Sequence, residues 1–218
     1  MNTILELKKV GYQIHNKQIL NNINMNIKEG EHWTLVGPSG AGKTTILMLM
    51  AQMISPTAGE IMFKSQDIKT FPPTDYRRSV SYCFQQPTLF GKTVRDNLEF
   101  PFQIRKQDVD VARMEELLEL VNLPKSYLEN TVNELSGGEK QRIALIRNLM
   151  IRPDIILLDE VTTGLDAENK EIVHNLIESF HHNNGTIVQI THDEGEIKGA
   201  SKIFELKKIT DKAGDKHE

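Results

Sequence analysis

Trp33-Thr34-Leu35-Val36, followed by Gly37-Pro38-Ser39-Gly40-Ala41-Gly42-Lys43-Thr44, decides the fold of this 218-residue chain. The first four residues read as a buried strand, the next eight as a glycine-rich turn, and 44–53 as a helix. The turn has the spacing G-x-x-x-x-G-K-[ST]. Its glycines let successive backbone N–H groups converge on phosphate oxygens at the positive end of the following helix. Lys43 would then reach β- and γ-phosphates, and the Thr44 hydroxyl would ligate Mg²⁺. The bland alternative is a glycine turn that only ends a strand; a strand before the turn and a helix after it favour the phosphate loop.

The arrangement recurs twice toward the C-terminus. Ile155-Ile156-Leu157-Leu158-Asp159-Glu160 is an apolar strand that delivers two carboxylates at its end, and ligands gather at that edge of a parallel sheet. There Asp159 would hold Mg²⁺ through water and Glu160 would polarise an attacking water; the alternative is that two acids simply solvate the strand end. Residues 186–191 form another strand, ending at His192, which would hydrogen-bond a γ-phosphate and hold the water in line. A lone histidine is more often merely solvated, but three strands ending in useful groups are harder to dismiss. His181-His182 falls at a helix end, where a stabilising or solvated role outweighs metal binding.

Leu135-Ser136-Gly137-Gly138-Glu139 is the most specific signal. Ser136 and Glu139 form a capping box that opens a helix running to about Met150. Such an end offers free N–H groups, a hydroxyl and a dipole, and the glycine pair leaves room for an anion. One phosphate cradle already lies at 37–44, so a second anion-seeking helix end needs a partner.

Around these motifs, residues 4–36 alternate apolar and polar in short stretches punctuated at Gly11, Asn21-Asn22 and Glu29-Gly30. Residues 59–63 and 79–84 lean to β, with a polar connection between them. From 93 to 150 the pattern is helical: Val111, Met114, Leu118 and Val121 recur at three and four residues, and Leu117 and Leu120 widen that face toward a core. After Pro153 strands and a helix at 167–182 alternate again, which indicates a parallel sheet with crossovers. The polar tail, 207–218, is expected to fray.

Composition narrows the class. There are 26 Lys and Arg against 30 Asp and Glu, a formal charge of −4, where nucleic-acid binders usually carry a clearly basic domain. Apolar residues at 39% and charged residues at 26% are an ordinary globular mix. Cys83 alone cannot form an internal disulfide, which fits a reducing compartment. No apolar run approaches the roughly 18–20 residues needed to cross a bilayer, and the N-terminus lacks a signal-peptide apolar stretch. Secreted, integral-membrane and disulfide-scaffold classes are excluded as expectations.

In order and over nearly the whole length, the motifs resemble the ATP-binding subunit of ABC transporters. The phosphate loop is followed by Gln85, by 135–139, by Leu157-Leu158-Asp159-Glu160, by Thr163-Gly164-Leu165-Asp166 and by Thr191-His192-Asp193. The fourth of these departs from the common Ser-Ala-Leu-Asp but spares the aspartate. The resemblance implies a Mg-dependent ATPase with an α/β fold: a P-loop NTPase core with a parallel sheet, an N-terminal antiparallel β subdomain and a helical insert. It implies one domain, with 1–86 and 151–206 as core and 87–150 as the helical signature subdomain. Gly37, Pro38, Ser39, Gly40, Ala41, Gly42, Lys43, Thr44 and Thr45 would cradle ATP, and Tyr12 would stack on adenine, core packing being its alternative role. Thr44, Gln85 and Asp159 would surround Mg²⁺, with Gln86 as the other register for the glutamine. Glu160, His192 and Lys43 would be catalytic.

Two copies would pair head to tail when ATP is bound, so that Ser136, Gly137, Gly138, Glu139 and Asp166 meet the nucleotide held by the other copy. The helical insert would dock a transmembrane permease, through which alone the chain would meet the membrane, so that it would be cytoplasmic and peripheral on the inner face of the cell membrane. Leu89 and Phe90 would touch that permease unless they fold back into the insert. Residues 82–91, 99–105 and 145–149 further resemble bacterial Fet-type iron-export ATPases, which implies an exporter, with iron as cargo by kinship. The competing class is a soluble ABC ATPase of DNA repair or translation, but this sequence lacks their coiled-coil insertions, tandem cassettes and basic stretches; no nucleic-acid partner is expected.

Overall fold

A computed structural model describes residues 2–209. In chain order these form β1 (Thr3–Ile14), β2 (Lys17–Lys28), β3 (His32–Val36), α1 (Lys43–Met50), β4 (Ala58–Phe63), β5 (Gln66–Asp67), α2 (Pro73–Ser79) and β6 (Val80–Cys83). Then follow α3 (Val94–Gln103), α4 (Val111–Leu120), α5 (Gly137–Leu149), β7 (Ile155–Asp159), α6 (Ala167–His182), β8 (Thr186–Ile190), α7 (Glu194–Gly199) and β9 (Lys202–Glu205). None of these helices is long and apolar enough to cross a membrane.

Two sheets result. The antiparallel one has the order β2-β1-β4-β5, and the parallel one β6-β7-β8-β3-β9. All five residues of β7 and of β8 are buried, as expected of central strands covered on both faces. The pleat of β7 divides them between two cores: Ile156 and Leu158 join the helices α3–α6, while Ile155 and Leu157 join α1 and the antiparallel sheet. The parallel sheet is thus the wall between the phosphate-loop side and the helical side.

Local structure departs from expectation at particular residues. Residues 4–28 form two 12-residue strands rather than short stretches. Gly11 lies inside β1 instead of turning the chain, because β4 passes so close that a Cβ there would sit 3.3 Å from the Ala58 Cβ. The turn is made instead at His15, whose φ is +52°. The connection expected between 63 and 79 contains α2, started by Pro73 in its first turn, where a missing N–H costs nothing. It buries Tyr76, whose hydroxyl donates to the Met50 carbonyl at 2.6 Å.

The helical middle is broken into separate helices. On α4, Met114, Leu117 and Leu118 are buried, but Val111 and Leu120 are 43% and 44% exposed. They are the first and last residues of the helix, beyond the neighbours that cover its centre. Of the tail, 207–209 are irregular; 210–218 lie outside the described residues.

Candidate active site

β7, β8 and β3 are consecutive neighbours, and their register puts Asp159 and Leu35 both opposite Ile190. The next residues along each strand therefore emerge at one edge: Glu160, Thr191-His192 and the 37–44 loop. Parallel pairing places these groups together, since strands running the same way end on the same side.

The loop closes tightly. Gly42 has φ +95°, and a Cβ there would come within 2.7 Å of Leu20 Cδ2, so only glycine fits. The buried Lys43 ammonium donates to the carbonyls of Gly37 at 2.8 Å and Pro38 at 3.3 Å, which holds it across the mouth of its own loop. Tyr12 sits on β1 opposite Leu20, one strand from Gly42, half-buried and packed partly on the core behind the loop.

Asp159 is buried with both oxygens engaged. Thr44 Oγ1 donates to Oδ1 at 3.2 Å and Tyr82 donates to Oδ2 at 2.6 Å. Burial, and next the hydrogen bond to Asp159, push the Tyr82 hydroxyl's pKa up, so it stays a donor. Among the described residues no cluster of three His, Cys, Asp or Glu could hold a metal. A hydroxyl beside one carboxylate nevertheless fits Mg²⁺, which keeps several waters and takes phosphate oxygens to complete its shell.

Glu160 has the left-handed φ of +50°, uncommon for a side-chain-bearing residue and a place where strain is held. Its N–H donates to the Ile190 carbonyl at 3.1 Å. Gln85 Nε2 donates to its Oε2 at 3.2 Å, and His192 Nε2 stands 3.4 Å from its Oε1. The carboxylate therefore has a separate neighbour on each oxygen. Gln85, not Gln86, makes this contact.

The 135–139 motif forms a second centre. Ser136 N–H donates to Glu139 Oε2 at 2.7 Å, and Glu139 N–H donates to Ser136 Oγ at 3.3 Å, closing the capping box. Tyr127 donates to Glu139 Oε1 at 2.7 Å; that bond, followed by the Ser136 N–H, holds the Glu139 carboxyl below its ordinary range. A Cβ on Gly137 would meet open space, whereas one on Gly138 would lie 2.6 Å from Asn169. This abuts α5 on the start of α6, capped by Asp166, which accepts the Asn169 N–H at 2.8 Å. The Asn169 bonds hold the Asp166 carboxyl low as well. Among the described residues no hydrogen bond joins 135–139 to the 37–45 loop; Ser136 and Gly137 face outward.

Sequence reasoning missed Tyr82, Tyr127 and Asn169. Leu89 packs against the helical core while Phe90 is 38% exposed, stacked edge-on Phe100 at 4.6 Å with Arg147 over its ring. Phe90 lines a groove of about 470 Å³ with Phe84, Phe100 and Ile104 and with Arg77, Arg78, Arg105 and Arg147, and among the described residues no acid lines it.

The chain is similar in sequence and in fold to known proteins. The ABC transporter family model fits residues 20–163. The chain is 48% identical over 204 residues to the probable iron export ATP-binding protein FetA of Escherichia coli, covering 93% of this chain and 91% of that one. It is 38% identical over 197 residues to the spermidine/putrescine import ATP-binding protein PotA of Spiroplasma citri, but spans only 55% of that relative. Its structure is similar to a dimeric post-hydrolysis state of the ATP-binding cassette MJ0796 bound to ADP and Pi, with TM-score 0.83, 30% identity and 94% of each chain covered. It is also similar to a bacterial Atm1-family ABC exporter with ATP bound, with TM-score 0.84 and 26% identity, covering 95% of this chain and 37% of that one.

Proposed function

Because the chain belongs to the ABC transporter family, we propose that it is the ATP-hydrolysing subunit of a membrane exporter whose cargo is iron. The observation that carries the chemistry is the Glu160 carboxylate, set at the sheet edge with Gln85 on one oxygen and His192 by the other. The loop N–H groups and Lys43 would take the β- and γ-phosphate charge, with Tyr12 against the base. Glu160 would take a proton from the water that attacks the γ-phosphorus while the bond to the leaving ADP oxygen breaks; His192 would hold the water and phosphate in line. Thr44, Asp159 and Gln85 would hold Mg²⁺, which supplies charge neutralisation on the phosphates.

The outward-facing Ser136 end would complete the site of a second copy, paired head to tail when ATP is bound. The arginine-lined groove at Phe90 would receive a cytoplasmic segment of the permease carrying apolar and acidic side chains, its charge opposite to the groove's. The chain would then sit on the cytoplasmic face of the membrane. The likeness to FetA supports iron as cargo and the likeness to an exporter supports direction.

Purification from solubilised membranes tests this. Co-purification of a polytopic membrane protein, with phosphate release from ATP that stops when Mg²⁺ is chelated, is the expected result. Capture of ribosomes or DNA instead would favour the soluble class.

A further inference from the structure

α7 is fastened to α6 by two struts one helical turn apart. Lys170 donates to Asp193 Oδ2 at 3.0 Å, and His174 Nε2 lies 2.7 Å from Glu196 Oε1. The same Glu196 oxygen accepts the Thr162 hydroxyl at 2.7 Å, and the Glu196 side chain is only 10% exposed. Thr162 lies two residues after Glu160, within a turn in which the Thr163 N–H donates to the Glu160 carbonyl at 3.0 Å. Glu196 lies four residues after His192, with Asp193 capping the helix between them. These contacts make a closed ring: Glu160, Thr162, Glu196, α7, His192 and back to Glu160 across 3.4 Å. Glu160 sits in strained backbone, and His192 is on a loop. Each therefore depends on outside contacts for its place.

We infer that Glu196 is a positioning residue, which sets the spacing of His192 and Glu160 by binding Thr162 and His174 with the single oxygen Oε1. The inference rests on the reading of Glu160 and His192 as the reacting pair. The role is one in turnover rather than in ATP affinity, because among the described residues no hydrogen bond or ion pair joins Thr162 or Glu196 to the 37–45 loop.

Thr162→Val tests it with least disturbance, since it keeps the shape and the His174 strut and removes only the hydroxyl that joins Glu196 to the catalytic turn. ATPase kcat should fall about 10–100-fold, the scale of a small misplacement of reacting groups, with the ATP KM near wild type and the chain still folded at the assay temperature. Glu196→Ala should lose as much, Glu196→Gln should recover most of it by still accepting the hydroxyl, and the Thr162→Val, Glu196→Ala pair should be no worse than the poorer single variant. Normal kcat in Thr162→Val, a parallel rise in KM, or additive losses in the pair would overturn the inference, and Thr162→Val decides the matter if Glu196→Ala fails to fold. His192→Ala belongs in the same panel. If it is inactive while Thr162→Val is normal, the reacting pair stands and Glu196 has no part in it; if it turns over normally, the reading of the pair falls and the inference falls with it.

Discussion

Tyr82 donates its hydroxyl to Asp159 across 2.6 Å, although the two are 77 residues apart. β6 and β7 are neighbouring parallel strands, with Tyr82 opposite Leu157, so the ring reaches forward to the carboxylate at the end of the next strand. Asp159 is thereby fixed with one oxygen toward Tyr82 and the other toward Thr44.

Tyr82→Phe should leave a buried carboxylate short of one partner. Hydrogen bonds to charged groups contribute about 1.5–3 kcal/mol, so unfolding by urea should show a loss of that order. A carboxylate free to turn away from Thr44 should also raise the Mg²⁺ concentration needed for half-maximal phosphate release several-fold. If stability and Mg²⁺ dependence both match wild type, the bond has no part in holding Asp159.

Glu160→Gln should bind Mg-ATP and hydrolyse it slowly, because the amide keeps the shape but cannot take the proton from water. Losses of this kind are about 10²–10⁴-fold in rate. The variant should accumulate as an ATP-bound dimer on size exclusion. Near-normal turnover would remove Glu160 from the role of base.

Tyr12→Ala should weaken nucleotide binding with little change in turnover at saturation. Stacking on a base contributes about 1–3 kcal/mol, and Tyr12 lies one strand from Gly42, across Leu20. Its ring also rests partly on the core. A fall in melting temperature with unchanged ATP affinity would assign the ring to packing alone.

Glu139 gives a pH-dependent test. A carboxyl held low in the folded chain by Tyr127 and Ser136 binds fewer protons there than when unfolded. Its stabilisation is full above the unfolded value, near about 4.3, and is lost as pH falls through the lower folded value. Tyr127→Phe should therefore lower the urea midpoint at neutral pH, with the gap to wild type closing below about pH 4. A gap independent of pH would mean that Tyr127 acts through packing instead.

The legible parts of the molecule were those written in contiguous residues. Trp33–Gly42 and Ile155–Glu160 each carry an apolar run and its chemical group together, so strand, turn and edge follow from local pattern. Ser136 and Glu139 are three residues apart and form the capping box that their spacing implies. What escaped depended on packing between distant segments. Gly11 reads as punctuation, yet its place in β1 is set by Ala58. α2 was hidden behind Pro72-Pro73, which look like loop residues although proline suits a helix's first turn. Tyr82 and Glu196 have partners 77 and 34 residues away, and neither stands in a motif of its own. Glu160 and His192 could be named from strand ends, but the ring that joins them required the fold.

The outward face of Ser136 and the absence, among the described residues, of a hydrogen bond from 135–139 to the 37–45 loop lead to the test of pairing. Lys43→Ala should disable the phosphate loop, and Ser136→Arg should block the helix end where a Cβ on the neighbouring Gly137 meets open space; each variant alone should be nearly inactive. In a head-to-tail dimer of one of each, one site combines both lesions, and the other pairs the intact loop of the Ser136→Arg chain with the intact helix end of the Lys43→Ala chain. Mixing should therefore restore ATPase activity, to a fraction of wild type set by the share of mixed dimers. If Ser136 acted on its own chain's nucleotide, every chain would carry a lesion in its own site and mixing would restore nothing. Differently tagged variants, purified in tandem through both tags, establish that mixed dimers are present. No recovery in that fraction would end the head-to-tail reading, because the intact site would be present and silent.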